Sequence, residues 1–376
     1  MIKFGIMSCN IYCNFTNYGS ALQSWALKEA VNKIGENRYE AILVDYCPKV
    51  MEGKDPLNPL SYMWDSDPVS KKMCELSLPA IKENYYKFKS FYNNEFKKSI
   101  GIYDAKNFNE IKIKDGISSF ICGSDTIFCV DEFGFDDGYY ANFDCMKNGY
   151  SFSYAASFGD THFNADIYNE LKEKLNNFKL LSIRENAMIP FIKENTNVPV
   201  RKVIDPTLLL NVEEYEKIIA PRQEEKKYIL YYARRYNPKM EEFAEKMAKK
   251  NNWEIIEISL RATNSRKHRM FYEAGVEEFL SLIKYAECVI TNSFHGMIFS
   301  VQFRKDFYAF SRDQCDGKIN ELLQLFDLED RLFVTGEEAI PRKIDYTHVH
   351  DRINEARKDS IAYLENALNG CDQNGD

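Results

Sequence analysis

The sequence predicts an α/β fold made of two parallel-sheet halves, on three observations. Short apolar runs alternate with helical patterns, the arrangement that requires parallel pairing through right-handed crossovers. The same scheme occurs twice, with a proline-punctuated stretch between its two occurrences. The chain has 376 residues, more than the roughly 250–300 at which a single core stops growing.

The elements follow in order. Ile2 to Met7 is a short apolar strand, Ala21 to Ile34 a helix closed by Gly35, and Glu40 to Tyr46 a second strand ended by Pro48. Residues 49–69, interrupted by Pro56, Pro59 and Pro68, form an irregular connection. Lysines and aromatics at helical spacing over Lys71 to Lys98 predict two helices broken near Pro79. Ser119 to Cys122, Tyr150 to Ala155 and Leu180 to Ile183 are buried strands followed by polar or glycine-containing turns. Asn195, Pro199, Pro206 and Pro221 then mark the boundary between the halves.

The second half runs strand Tyr228 to Tyr232, helix Met240 to Lys250, strand Trp253 to Ile258, helix Val276 to Tyr285, strand Glu287 to Ile290, helix Met297 to Phe303 and strand Asp306 to Phe310. Ala356, Ile361, Leu364, Ala367 and Leu368 lie on one stripe, so Glu355 to Leu368 is a final packed helix. Two Rossmann-like domains are expected, 1–195 and 196–345, with a C-terminal helix and tail at 346–376.

Composition bounds the function. With 45% apolar and 28% charged residues the chain is an ordinary globule rather than a disordered one. A net charge of -8 argues against a dedicated nucleic-acid surface, despite the local basic run Arg261 to Arg269. Affinity for anions must therefore come from a focused pocket. The ten cysteines form no repeating framework and the amino terminus has no export pattern, so reduced thiols in the cytoplasm are expected. Cys9 and Cys13 lack a second pair, and no metal site is assigned. No run of 18 apolar residues exists. A spanning helix is excluded, although peripheral association with a membrane is compatible.

The richest segment is Cys288 to Ser300, a strand-to-helix junction of the kind at which α/β proteins bind ligands. Backbone N–H groups at the helix start favour an anion there, and His295 exchanges protons near neutral pH. Ser293 and Gly296 flank it. Asn17-Tyr18-Gly19-Ser20 forms a similar junction, with Gly19 permitting close backbone approach and Ser20 able to cap the helix. It lacks the further glycines of a dinucleotide fingerprint, which disfavours NAD. At the end of a third strand stand Ser124 and Asp125, a carboxylate able to accept from sugar hydroxyls, bind a metal or act as a base. Arg184 follows a fourth strand with a guanidinium fork suited to carboxylate or phosphate, with an Arg184–Glu185 or interdomain ion pair as the alternative. Asp205-Pro206-Thr207 reads first as a structural turn fixed by Pro206, with contact between Asp205 and ligand as the alternative. Lys318 offers a point charge at a helix start.

Taken in order, Asn17-Tyr18-Gly19-Ser20-Ala21-Leu22-Gln23, Gly123-Ser124-Asp125, Ser153-Tyr154-Ala155-Ala156-Ser157-Phe158-Gly159, Ser182-Ile183-Arg184-Glu185, Asp205-Pro206-Thr207-Leu208-Leu209 and Thr291-Asn292-Ser293-Phe294-His295-Gly296 make the chain resemble the polysaccharide pyruvyl transferases. The resemblance implies a GT-B-like arrangement with the site in the interdomain cleft. It implies transfer of the pyruvyl group of phosphoenolpyruvate to two hydroxyls of a sugar, giving a ketal and free phosphate. Arg184 matches the family's essential arginine, His295 its essential histidine, and Lys318 a basic residue that follows, all three on the donor. Many relatives carry Arg-Leu-His where this chain has Ser293-Phe294-His295, so either a compensating cation comes from Arg234, Arg235, Arg304 or Arg312, or the donor differs from phosphoenolpyruvate.

The expected function is therefore a cytoplasmic pyruvyl transferase acting on a glycan or lipid-linked saccharide, with phosphoenolpyruvate as donor substrate and no cofactor. Its catalytic residues are His295 for the proton or the phosphate and Asp125 for the acceptor hydroxyl. Asn17, Gly19, Ser20, Ser124, Arg184, Arg234, Ser293, Gly296 and Lys318 are expected to bind substrate. The competing expectations are a nucleotide-sugar glycosyltransferase and a non-catalytic glycan- or anion-binding protein.

Overall fold

The computed structural model describes residues 1–9, 16–55, 57, 68–159, 161–258, 268–311, 316–335 and 341–371. Its first lobe contains β1 (Ile2–Met7), α1 (Tyr18–Gly35), β2 (Tyr39–Tyr46), α2 (Pro68–Glu95), β3 (Lys98–Tyr103), α3 (Ile111–Asp115), β4 (Ser119–Cys122), α4 (Val130–Phe133), α5 (Asp144–Lys147), β5 (Tyr150–Ser153), α6 (Ala165–Leu175), β6 (Leu181–Ile183), α7 (Ile189–Asn195) and β7 (Val200–Lys202). After a short α8 (Val212–Glu216) the second lobe contains β8 (Tyr228–Tyr232), α9 (Pro238–Asn251), β9 (Glu254–Glu257), β10 (Arg269–Met270), α10 (Val276–Tyr285), β11 (Cys288–Thr291), α11 (Phe294–Gln302), β12 (Asp306–Phe310), α12 (Asp316–Phe326) and β13 (Leu332–Phe333). The last element is α13 (Tyr346–Asn369).

Both main sheets are wholly parallel. The first has the order β3-β2-β1-β4-β5 and the second β10-β9-β8-β11-β12-β13, while β6 and β7 form a small parallel pair. The strands read as near-continuous apolar runs because helices cover both faces. This is the expected α/β architecture of two Rossmann-like domains in a GT-B-like arrangement. Isolated bridges Phe152↔Leu180 and Ala156↔Ile183 bring β6 alongside β5, so β7 is also tied to the first lobe, although the expected division at 195 separates β6 from β7.

A single apolar cluster runs from one lobe into the other, through α1, α10 and α11. At its centre Tyr18 of α1 stacks on Phe279 of α10, centroids 4.4 Å apart, and donates its hydroxyl to Ala274 O at 2.8 Å. The C-terminal α13 crosses back to the first lobe. Tyr363 donates to Ser153 O at 2.9 Å, and Tyr150 donates to Ala367 O at 2.8 Å.

Several expected bounds change. Asn17, not Ser20, caps α1, its Oδ1 accepting from Gly19 N at 3.0 Å and Ser20 N at 3.4 Å, so the helix starts at Tyr18. Pro79 lies inside one continuous α2 rather than between two helices. It is exposed, so its ring and missing N–H fall on the solvent side, and the downstream Phe88, Phe91 and Tyr92 anchor the helix in the core. Edge strand β3 was hidden by its glycine-interrupted sequence, whose Ile100 and Ile102 face solvent. The final helix begins nine residues before the expected Glu355, where Asp345 accepts from Thr347 N at 3.0 Å.

Candidate active site

The carboxyl ends of β1, β4 and β11 converge where the lobes meet. After β11, Ser293 caps α11 by accepting from Gly296 N at 3.2 Å, and this cap fixes the first helical turn, which carries His295. Gly296 is required for packing, since a Cβ there would lie 2.6 Å from Thr291 Oγ1. After β4 the chain enters a tight turn in which Asp125 takes a left-handed φ of 68° and Ser124 is wholly buried. Aspartate tolerates this conformation through local bonding, here Thr126 N to its own Oδ1 at 3.0 Å.

The side chains meet in one buried network. Ser20 Oγ donates to Asp125 Oδ2 at 2.5 Å. Arg184 NH1 donates to Asp205 Oδ2 at 2.6 Å, while its NH2 lies 3.6 Å from Asp125 Oδ1 and its Nε 3.9 Å from Glu185 Oε1. One guanidinium thus serves three carboxylates, and it also stacks on Phe294 with 5.0 Å from Cζ to the ring centroid. Asp205 Oδ1 accepts from Thr207 N at 3.0 Å and from Thr207 Oγ1 at 2.6 Å. His295 Nε2 stands 3.5 Å from Asp205 Oδ2, an ion-pair distance, and has no hydrogen-bond partner. The other side of the imidazole packs against Gly19, where any Cβ would collide with Nδ1.

Burial alone would raise the carboxyls of Asp125 and Asp205, but the network outweighs it. Arg184, His295 and the Ser20 hydroxyl hold Asp125 below the usual carboxylate range. His295, Arg184 and Thr207 hold Asp205 lower still. Glu132 on α4 behaves oppositely. It is open to solvent, yet crowding by the cleft walls and the charge of Asp125 raise its carboxyl, against the Thr126 hydroxyl at 2.9 Å and the more distant cations Lys318 and Arg234.

Beside Arg184 opens a cavity of about 280 Å³, lined among others by Glu185, Asp205, Phe294, Lys318 and Leu322. Lys202 in its wall is committed to Glu321 at 2.5 Å. Lys318 is half-buried and has no ion pair within 4 Å among the described residues.

Of the expected site residues, Gly19, Ser20, Asp125, Arg184, Lys318 and His295 come together. Asn17, Ser293 and Gly296 frame the helix starts. Ser124 is withdrawn from ligand, its hydroxyl donated to Ala155 O at 2.8 Å and its N–H to Gln23 Oε1 at 3.0 Å. Of the compensating arginines, Arg234 sits at the cleft, its N–H donating to Asn292 Oδ1 at 2.7 Å. Arg304 precedes β12 and so lies at the amino ends of the strands, away from the cleft, Arg235 is exposed, and Arg312 lies outside the described residues. Asp205, expected as a structural turn, is a full member of the network. Glu132 was not anticipated, whereas an Arg184–Glu185 ion pair was the alternative reading of Arg184. Glu185 accepts from Ser157 Oγ and directly follows Arg184, so its place beside that arginine was the available signal, whereas Glu132 stands outside every motif.

The fold and site define a class: a two-lobed α/β protein whose acid, base and cation side chains meet where the lobes face each other. More narrowly, the chain belongs to the polysaccharide pyruvyl transferase family, whose profile matches residues 17–314. No curated protein compared with it matches. Solved structures similar to it include UDP-GlcNAc 2-epimerase from Neisseria meningitidis bound to UDP-GlcNAc, at 9% identity over 98% of this chain and 99% of that one, TM-score 0.46. UDP-GlcNAc 2-epimerase from Methanocaldococcus jannaschii is similar at 10% identity over 94% and 92%, TM-score 0.48. ADP-heptose LPS heptosyltransferase II from E. coli is similar at 10% identity over 96% and 99%, TM-score 0.39. Among the described residues no helix is long and apolar enough to cross a membrane.

Proposed function

We propose that this protein transfers the pyruvyl group of phosphoenolpyruvate onto two hydroxyls of a glycan or lipid-linked saccharide, as a ketal, in the cytoplasm. The observation that carries the reading is His295, which the second lobe brings to the Asp125–Arg184–Asp205 network of the first, its buried Nε2 3.5 Å from Asp205 Oδ2.

The reaction needs a proton on the donor's methylene carbon, attack by one sugar hydroxyl on the adjacent carbon, loss of phosphate and attack by a second hydroxyl. Two hydroxyl protons are released in all; one balances the proton gained by the methyl group and the other leaves with phosphate or solvent. His295 Nε2 exchanges the proton with the donor. Lys318 and Arg234 stabilise charge on the departing phosphate, with Arg234 standing in for the arginine replaced by Ser293. Arg184 holds Asp125 and Asp205 in place. Asp125, kept ionised, accepts a hydrogen bond from the acceptor hydroxyl.

The test is incubation with phosphoenolpyruvate and a panel of glycan acceptors. The expected outcome is inorganic phosphate together with a product heavier by about 70 Da, the mass of pyruvate less water, as the donor chemistry requires. Nucleotide release from a nucleotide sugar, with no phosphate from phosphoenolpyruvate, would overturn the proposal.

A further inference from the structure

A second polar cluster lies in the second lobe, on the side of its sheet covered by α9. Tyr231 and Tyr232 point to opposite faces of β8. Tyr232 packs toward Tyr18 and the interlobe core, and Tyr231 toward α9. On this α9 side Glu241 and Glu245 stand one helical turn apart, and His268 immediately precedes β10. One ligand-capable atom from each lies within 4.8 Å of the other two.

The imidazole is oriented from behind. Its side chain is 4% exposed, and Nδ1 lies 3.2 Å from Oε2 of Glu257, whose side chain is 0% exposed. With the Nδ1 proton given to Glu257, Nε2 turns a lone pair toward Glu245 Oε1 at 3.7 Å and has no hydrogen-bond partner. Two acceptors facing each other at that distance repel unless a proton or a cation lies between them. A further buried polar atom without a partner, the Tyr231 hydroxyl, belongs to the same cluster. Its ring is centred 5.7 Å from that of His268, and Glu257, Glu241 and Glu245 all act on it electrostatically. Glu241 Oε2 accepts from Tyr236 OH at 2.9 Å, which fixes the carboxylate at the cluster.

A carboxylate–imidazole–metal relay has this form, the ligating histidine giving its second N–H to a buried carboxylate. An imidazole with carboxylate oxygens suits zinc and neighbouring first-row ions, and three protein ligands leave a position for water. We propose that Glu241, Glu245 and His268 bind a divalent first-row transition ion, with Glu257 orienting the imidazole and Tyr231 donating to metal-bound water. Being on the sheet face opposite the interlobe core, the ion would join α9 to the β9–β10 edge rather than touch the transferred group.

The probe is zinc. The whole chain is stripped with chelator, dialysed against zinc chloride, assayed for bound metal by mass spectrometry and melted with and without the ion. Wild type should retain one ion per chain and melt at higher temperature with it. Both effects should vanish in His268→Gln, and Glu257→Gln should bind about 10–100-fold more weakly. Glu245→Gln, at a half-exposed helix position, replaces the histidine variant as the test if that variant does not fold, and should bind at least about tenfold more weakly. Absence of zinc from wild type, or equal zinc in Glu245→Gln and wild type, overturns the proposal.

Discussion

The His295 imidazole, carried by the second lobe, occupies the space that any side chain at Gly19 of the first lobe would fill. Gly19→Ala therefore acts on the site through one displaced ring. The added methyl should cost about 1–3 kcal/mol of stability as overpacking. Displacement of the imidazole by even about 1 Å should lower kcat on the order of 100-fold. Thermal melting and phosphoenolpyruvate-dependent phosphate release measure the two effects. Unchanged turnover in a folded Gly19→Ala would show that His295 Nε2 does not take part in the chemistry.

Arg184 compensates buried charge that nothing else nearby can neutralise in full. Its removal leaves Asp205, 3% exposed, and Asp125, 8% exposed, without their guanidinium. Breaking a buried pair from one side costs about 3–5 kcal/mol, so Arg184→Ala should lose a stability of that size in urea titration. Arg184→Lys recovers only part of it, because one ammonium cannot make the guanidinium's forked contacts. A loss below about 1 kcal/mol would mean that solvent already screens the pair.

The same carboxylates set an acid limit. Both Asp125 and Asp205 are lowered in the folded chain. Below their unfolded values, near pH 4, the unfolded chain binds more protons than the folded one. The stability they contribute is thus complete above about pH 4 and is lost as pH falls through their lowered folded values. Asp205→Asn should flatten that acid limb in melts recorded between about pH 2 and pH 6. An acid limb of unchanged slope would place the responsible carboxylates elsewhere.

Much of this was legible in the sequence, for physical reasons. Strands buried on both faces by helices leave short apolar runs, and β1, β4, β8 and β12 fall where those runs do. Junction residues Gly19, Ser20, Asp125, Arg184 and His295 stood out because strand ends followed by polar turns are where such folds expose chemistry. What escaped depended on tertiary placement. Residues Lys98–Tyr103 become a strand only because the edge of β2 is available to them. Pro79 stays helical because residues downstream of it are anchored in the core. Ser124 and Ser293 looked like ligand contacts, but their hydrogen-bonding groups are used within the frame, which residue type alone does not reveal. Asp205 looked like a turn residue because the turn is local, whereas Arg184 and His295 reach it from 21 and 90 positions away, by their numbering.

Glu132 was equally hidden, lying on a four-residue helix with no pattern around it, and it yields the last prediction. Desolvation by the crowded surroundings of this solvent-reaching side chain, and the Asp125 charge, raise its carboxyl above the ordinary value. Between that ordinary value and the raised one, the folded chain binds more protons than the unfolded one, so stability falls as pH rises through the interval. Glu132→Gln removes this penalty. The variant should melt higher than wild type near neutral pH and no higher at pH values below the ordinary carboxylate range. Its amide also leaves Lys318 and Arg234 without the carboxylate that offsets them, so apparent affinity for an anionic donor should rise. Melting curves at two pH values, with KM for phosphoenolpyruvate, separate the effects. If Glu132→Gln melts lower than wild type at neutral pH, Glu132 is held as a stabilising anion, and the charge balance of the cleft must be redrawn.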